Sequence, residues 1–135
     1  MRILVVDDHD LYRAGLESLL TAWGQDVVGT AADGQGALEQ ARALRPDMIL
    51  MDVNLPVVSG IEATRLIKAE LPATRVVAIS AYDDPDYVAR ALAGGAEGYV
   101  LKSMPDDQLR AFLVDPARSE RPQLVHPRTA THQTE

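Results

Sequence analysis

Met48-Ile49-Leu50-Met51-Asp52-Val53-Asn54-Leu55-Pro56 is the stretch on which the reading of this chain turns. Met48 to Met51 is a short apolar run, of strand length, that closes on an aspartate. Pro56 and Gly60 then bracket a loop, and a helical pattern runs from about Ile61 to Leu71. The same order recurs on both sides. Ile3 to Val6 is a continuous β-branched and aliphatic run, as expected of a strand buried on both faces, and it delivers Asp7 and Asp8. Val27 to Thr30, Val76 to Ser80 and Tyr99 to Lys102 read as further strands.

Amphipathic stretches fill the intervals. Leu11, Leu16, Leu19, Leu20 and Trp23 approximate helical spacing, and Gly24 supplies a stop. Asp33-Gly34 is a turn signal before a helix with the stripe Ala37, Leu38, Ala41 and Leu44, which Pro46 ends. Pro85 to Ala93 is a fourth helix stopped by Gly94-Gly95. Pro105 to Val114 starts a last one, with Asp106 and Asp107 favourably near its N-terminus. Five strands alternate with five helices, which predicts an α/β fold of βα units around a parallel sheet.

Composition bounds the rest. The chain has 135 residues, 47% hydrophobic and 24% charged, an ordinary mixture for one compact domain. Aromatic residues are only 4%, so the core must be aliphatic. Thirteen basic residues face 20 acidic ones, for a net charge of −7. A phosphate-backbone binder needs a basic stripe, and none appears, so no direct nucleic-acid contact is expected. There are no cysteines, which removes disulfides, thiolate zinc sites and cysteine nucleophiles. The apolar run before Asp7 is too short for a signal-peptide core or a membrane span, so a cytoplasmic, membrane-free protein is expected. Beyond Val114 the character changes. Residues 115–135 carry Pro116, Pro122 and Pro127 with little apolar periodicity, and read as an irregular or disordered tail behind a domain at 1–114.

Four of the five expected strands end in polar residues of distinct chemistry: Asp7 and Asp8, Asp52, Ser80, and Lys102. Ligands of open α/β sheets bind outside the carboxyl ends of the strands, so these side chains should converge. Any one of the acids could be a turn former or helix cap; their joint placement resists that explanation. Three carboxylates crowded together repel unless a cation joins them, and oxygen-only ligands point to a hard ion such as Mg²⁺. A lysine and a hydroxyl opposite them could hold phosphoryl oxygens, leaving an ionised aspartate as a nucleophile for an aspartyl-phosphate.

These segments, with Ser80-Ala81 and Tyr99-Val100-Leu101-Lys102, together resemble the receiver domain of bacterial two-component response regulators. The run Asp7-Asp8-His9-Asp10-Leu11-Tyr12-Arg13-Ala14-Gly15-Leu16 is most similar to the NarL/FixJ subfamily. The resemblance spans about Arg2 to Leu113. It implies a flavodoxin-like (CheY-like) doubly wound sheet of order 2-1-3-4-5. It implies Asp52 as phosphoacceptor from a histidine kinase or phosphotransfer protein. It implies Mg²⁺ on Asp8, Asp52 and the Asn54 backbone carbonyl, with Asp7 acting through water. Lys102 and Ser80 would contact the phosphoryl group, and Tyr99 would be the aromatic switch residue that turns inward as Ser80 moves.

Beside that implication, Tyr99 could be a strand aromatic packed on a helix, and Ser80 a strand-end hydroxyl. Tyr82, two positions after Ser80, is placed to shield an acyl phosphate from water, tuning its lifetime. His9 reads as a capping or loop residue, Trp23 as packing at a helix end, and His126 and His132 as a poor metal site. Two departures stand out: Ser103 replaces the proline common after the lysine, and the last helix gives way near Pro116, leaving it short or altered. The subfamily's helix-turn-helix output domain is absent from these residues. The expectation is a phosphorylation-dependent switch acting on a partner or a homodimer surface, and no turnover enzyme. A phosphate-independent interaction module and the receiver part of a DNA-binding regulator are alternatives. An aspartyl-phosphate phosphatase is disfavoured, because such enzymes space their acids two apart after the first strand.

Overall fold

The computed structural model describes residues 1–114, so the tail expected over 115–135 lies outside the described residues. Elements alternate without exception: β1 (Arg2–Val6), α1 (Asp10–Ala22), β2 (Asp26–Ala31), α2 (Gly34–Leu44), β3 (Met48–Asp52) and α3 (Gly60–Glu70), then β4 (Arg75–Ser80), α4 (Pro85–Ala93), β5 (Gly98–Leu101) and α5 (Asp106–Val114). The five strands form one parallel sheet in the order β2-β1-β3-β4-β5. This is the doubly wound order that the resemblance implied.

Strand side chains alternate between faces, and the two halves of each apolar run feed different layers. Ile3 and Val5 of β1, Leu50 of β3 and Val77 and Ile79 of β4 pack with Leu16 and Leu20 of α1 and Leu109, Phe112 and Leu113 of α5. Leu4, Val6, Ile49 and Met51 point the other way, onto Ala37 and Ala41 of α2 and Ala63 and Ile67 of α3. Val53, Ala78, Tyr99 and Leu101 complete that second layer against Val88 and Ala91 of α4. Alanines on α2, α3 and α4 let those helices approach the sheet closely, which is how a core so poor in aromatics is filled.

Boundaries differ from the sequence reading by a residue or so. β5 ends at Leu101, so Lys102 begins the following turn instead of closing the strand. α3 starts at Gly60, because the Ser59 side chain accepts the Glu62 amide at 3.2 Å and fixes the cap there. α5, expected to be short for docking, nonetheless buries Leu109, Phe112 and Leu113 against the sheet as far as the last described residue. These positions i, i+3 and i+4 all face inward, which docks the described part of α5. No cis peptide occurs among the described residues, so the Lys102–Ser103 bond is trans.

The loop from β3 to α3 is the most constrained part of the backbone. A Cβ on Gly60 would lie 1.8 Å from the Asp52 carbonyl oxygen, and one on Gly34 would lie 1.9 Å from that of Val58. Only glycine allows α3 to start against the end of β3, and only glycine lets the loop lie on α2. Between these fixed points Val57 adopts φ 69° while the Val58 amide donates to the Pro56 carbonyl at 2.8 Å. That is a γ-turn of the rarer, positive-φ hand, centred on a β-branched residue. Val57 is 81% exposed, so no burial of its side chain offsets the strain. Val57→Gly is expected to stabilise the protein by about 1 kcal/mol in urea denaturation; an unchanged or lower midpoint would refute the strain.

Candidate functional site

Register sets the site. Val6 of β1 lies beside Met51 of β3, so the next residues, Asp7 just past β1 and Asp52 at the end of β3, stand at one level. The chain turns to opposite sides of the sheet around these two strands, which opens a crevice between their carboxyl ends. Both carboxylates are almost fully buried, Asp7 at 2% and Asp52 at 3% exposure, while Asp8 projects toward solvent. The Asp52 Oδ1 accepts the Asn54 backbone amide at 2.9 Å.

Lys102 reaches across from the end of β5. Its Nζ stands 2.7 Å from Asp7 Oδ2 and 3.1 Å from Asp52 Oδ2. Burial raises the pKa of Asp52 above the ordinary carboxylate value, against the lowering effects of the Asn54 amide and Lys102. Burial works against the Lys102 ammonium, but its pairing with Asp7 and Asp52 outweighs this and holds its pKa above the ordinary lysine value. The carboxylates Asp7, Asp8 and Asp52 and the His9 imidazole offer ligand atoms all within 4.8 Å of one another. One ammonium stands against three carboxylates, so the cluster is short of positive charge, and its hard oxygen donors fit Mg²⁺.

Ser80 and Tyr99 form a separate arm. The buried Ser80 Oγ accepts the Tyr82 amide at 2.9 Å, and the Tyr99 hydroxyl donates to the Tyr82 carbonyl at 3.1 Å. The Tyr99 ring is fully buried, so it already points inward here, and burial raises its phenol pKa. The Tyr82 side chain is 61% exposed.

Asp7, Asp8, Asp52 and Lys102 thus come together as the sequence suggested. Three further residues join them. His9, read from sequence as a cap or loop residue, occupies the N-cap position of α1 but makes no side-chain cap. Its Nδ1 lies 3.2 Å from Asp7 Oδ1, 3.4 Å from Asp8 Oδ1 and 3.3 Å from Lys102 Nζ. Arg13 donates to the Asp7 carbonyl at 2.6 Å and to Asp10 Oδ1 at 2.8 Å, which ties the β1–α1 corner shut. The Tyr12 ring lies under Lys102, 4.6 Å from Nζ to the ring centre. The available signal was the helix start directly after the acidic pair. Helical side chains lean toward the N-terminus, so the first turn of α1 falls back over the doublet.

A buried carboxylate pair at the switch point of a doubly wound sheet, bridged by a lysine from the turn after the last strand, marks an α/β domain with an acidic ligand site. The model of the response regulator receiver domain matches residues 3–114. The chain belongs to that family, the receiver domains of two-component response regulators. It is 43% identical over 110 residues to the transcriptional regulatory protein LnrK of Bacillus subtilis, covering 81% of this chain and 50% of LnrK. It is 44% identical over 103 residues to the response regulator GacA of Pseudomonas viridiflava, covering 76% of this chain and 48% of GacA. The chain therefore spans about half the length of the curated relatives it matches. The signal receiver domain of NarL from Mycobacterium tuberculosis superposes with a TM-score of 0.82 at 38% identity, covering 89% of this chain and 97% of that one. A LuxR-family regulator from Aurantimonas gives 0.87 at 32%, covering 99% and 98%.

The raised pKa of Asp52 has a consequence for stability. At neutral pH without metal, the ionised carboxylate is worse placed in the folded protein than in the unfolded one. Asp52→Asn is expected to raise the urea midpoint of the metal-free protein at pH 7. The gain should vanish as pH falls through the raised pKa toward the ordinary carboxylate value, because the parent carboxyl then binds a proton and the penalty is gone. A loss of stability at pH 7 would refute this electrostatic account.

Proposed function

We propose that Asp52 accepts a phosphoryl group from the phosphohistidine of a histidine kinase or phosphotransfer protein. An Asp52 carboxylate oxygen bonds to phosphorus as the P–N bond breaks, and the imidazole leaves with that electron pair. The observation that carries this reading is the buried Asp52 carboxylate with the Lys102 ammonium 3.1 Å from its Oδ2. The same ammonium is within reach of oxygens on a group attached to Asp52. Asp8, Asp52 and the Asn54 backbone carbonyl would hold Mg²⁺, with Asp7 acting through water. When bound, the ion supplies positive charge that neutralises the carboxylates and the phosphoryl oxygens.

In this reading the dianion recruits the Ser80 hydroxyl from its bond with the Tyr82 amide. Tyr99, whose hydroxyl rests on the Tyr82 carbonyl, then adjusts with that backbone. The pocket is thereby coupled to the face built from α4, β5 and α5, where a partner or a second copy would sense the change. The domain at 1–114 works as a switch in the cytoplasm and not as a turnover enzyme. No helix among the described residues is long and apolar enough to cross a membrane. LnrK and other relatives are named transcriptional regulatory proteins, which fits a receiver that governs an output region of a longer regulator.

Labelling tests the phosphoacceptor. Asp52→Asn should abolish covalent phosphorylation by acetyl phosphate in Mg²⁺, read by intact mass; labelling equal to the parent would overturn the assignment. The exposed Tyr82 ring tests the lifetime. Tyr82→Ala is expected to speed loss of the label about threefold through freer water access. Equal decay of the two proteins would remove Tyr82 from that role.

A further inference from the structure

The Lys102 ammonium is held from two sides. On one side stand Asp7 Oδ2 at 2.7 Å and Asp52 Oδ2 at 3.1 Å. On the other stands the face of the Tyr12 ring, 4.6 Å from Nζ to its centre, within the range of a cation–π contact. Tyr12 is itself partly buried and packed against the core between α1 and α5, so the ring is not free to follow the lysine. Beyond it lies a groove of about 700 Å³ whose walls include Tyr12, Leu16, Lys102, Met104 and Leu109. Lys102 and Tyr12 both border that groove, so open space lies next to the lysine.

We propose that Tyr12 is a positioning residue, its ring face keeping the Lys102 ammonium over the pocket when the carboxylates are engaged elsewhere. The inference rests on the reading of Lys102 as a phosphoryl contact. In the metal-free pocket the two ion pairs and the ring hold the lysine together. A divalent cation among Asp7, Asp8 and Asp52 competes for the same oxygens and repels the ammonium. The ring quadrupole is indifferent to that competition. Its share of the hold therefore grows when the pocket is loaded, which is when the lysine must meet phosphoryl oxygens.

The test uses the full chain with Mg²⁺ and beryllofluoride as the phosphoryl mimic, titrated by ¹H–¹⁵N chemical shifts. Tyr12 is replaced by Phe, by difluoro- and trifluorophenylalanine of nearly the same size, and by Leu. Urea midpoints of the metal-free proteins check that folding is kept. Phe should bind the mimic within about twofold of the parent, affinity should fall stepwise with fluorination, and Leu should be about fivefold weaker. In a Lys102→Ala background the same series should be flat. A series that is flat with Lys102 present, or a Leu penalty that persists without it, would overturn the positioning role. Unchanged affinity in Lys102→Ala alone would instead refute the lysine assignment beneath it, and the proposal with it.

Discussion

Asp7 and Asp52 are buried side by side with one lysine between them, and the rest of the molecule is arranged to keep them there. Burying an ionised carboxylate costs several kcal/mol unless it is paired and hydrogen-bonded, and here two share a single ammonium. A loop could not sustain that arrangement, since the groups would part and hydrate. Adjacent parallel strands can. The pairing of Val6 with Met51 and of Asp52 with Ile79 leaves the acids no sideways escape. The Arg13 bond to the Asp7 carbonyl and the Asn54 amide on Asp52 tie the backbone and carboxylate from above. An unfavourable cluster held by a stiff sheet would gain from a cation, so the burial that strains the metal-free state would also favour a bound ion.

The same constraint explains where the backbone is tightest. Gly60 and Gly34 admit α3 and the β3–α3 loop at distances no Cβ would allow, and the γ-turn at Val57 bridges the two fixed points. The positive φ at Val57 is thus a consequence of fixing both ends of the segment that leaves Asp52. Its exposed side chain adds no packing in return.

The strands were legible because a parallel strand covered on both faces must be a near-continuous apolar run, and Ile3 to Val6, Met48 to Met51 and Val76 to Ile79 are such runs. Strand-end chemistry was legible for a related reason: a polar residue directly after a buried strand has one edge of the sheet to point to. Lys102 lies directly after β5 as Asp7 lies directly after β1, and it reaches the site through the length of its side chain. His9, Tyr12 and Arg13 were not legible as site residues. Their place depends on how the chain turns from β1 into the first turn of α1, and the apolar stripe of that helix reports the face packed on the sheet and not the path of that turn.

The lysine itself connects these points. In the metal-free molecule Lys102 stands in for a cation, neutralising part of what Asp7 and Asp52 carry. A bound ion would take over that task and release the lysine toward whatever is attached to Asp52. An ammonium on a flexible stem, freed from its carboxylates, has more rotamers in solvent than over the pocket, and a contact for which the ion does not compete narrows that freedom before phosphoryl oxygens are met. The Tyr12 ring is the group among those touching Lys102 that meets this condition, because Asp7, Asp52 and His9 all lie within the ion's own cluster. A positively charged guide would repel the lysine, and a further carboxylate would bind the ion. An aromatic face attracts the ammonium without entering that competition, which is the physical reason for an aromatic side chain at this turn of α1.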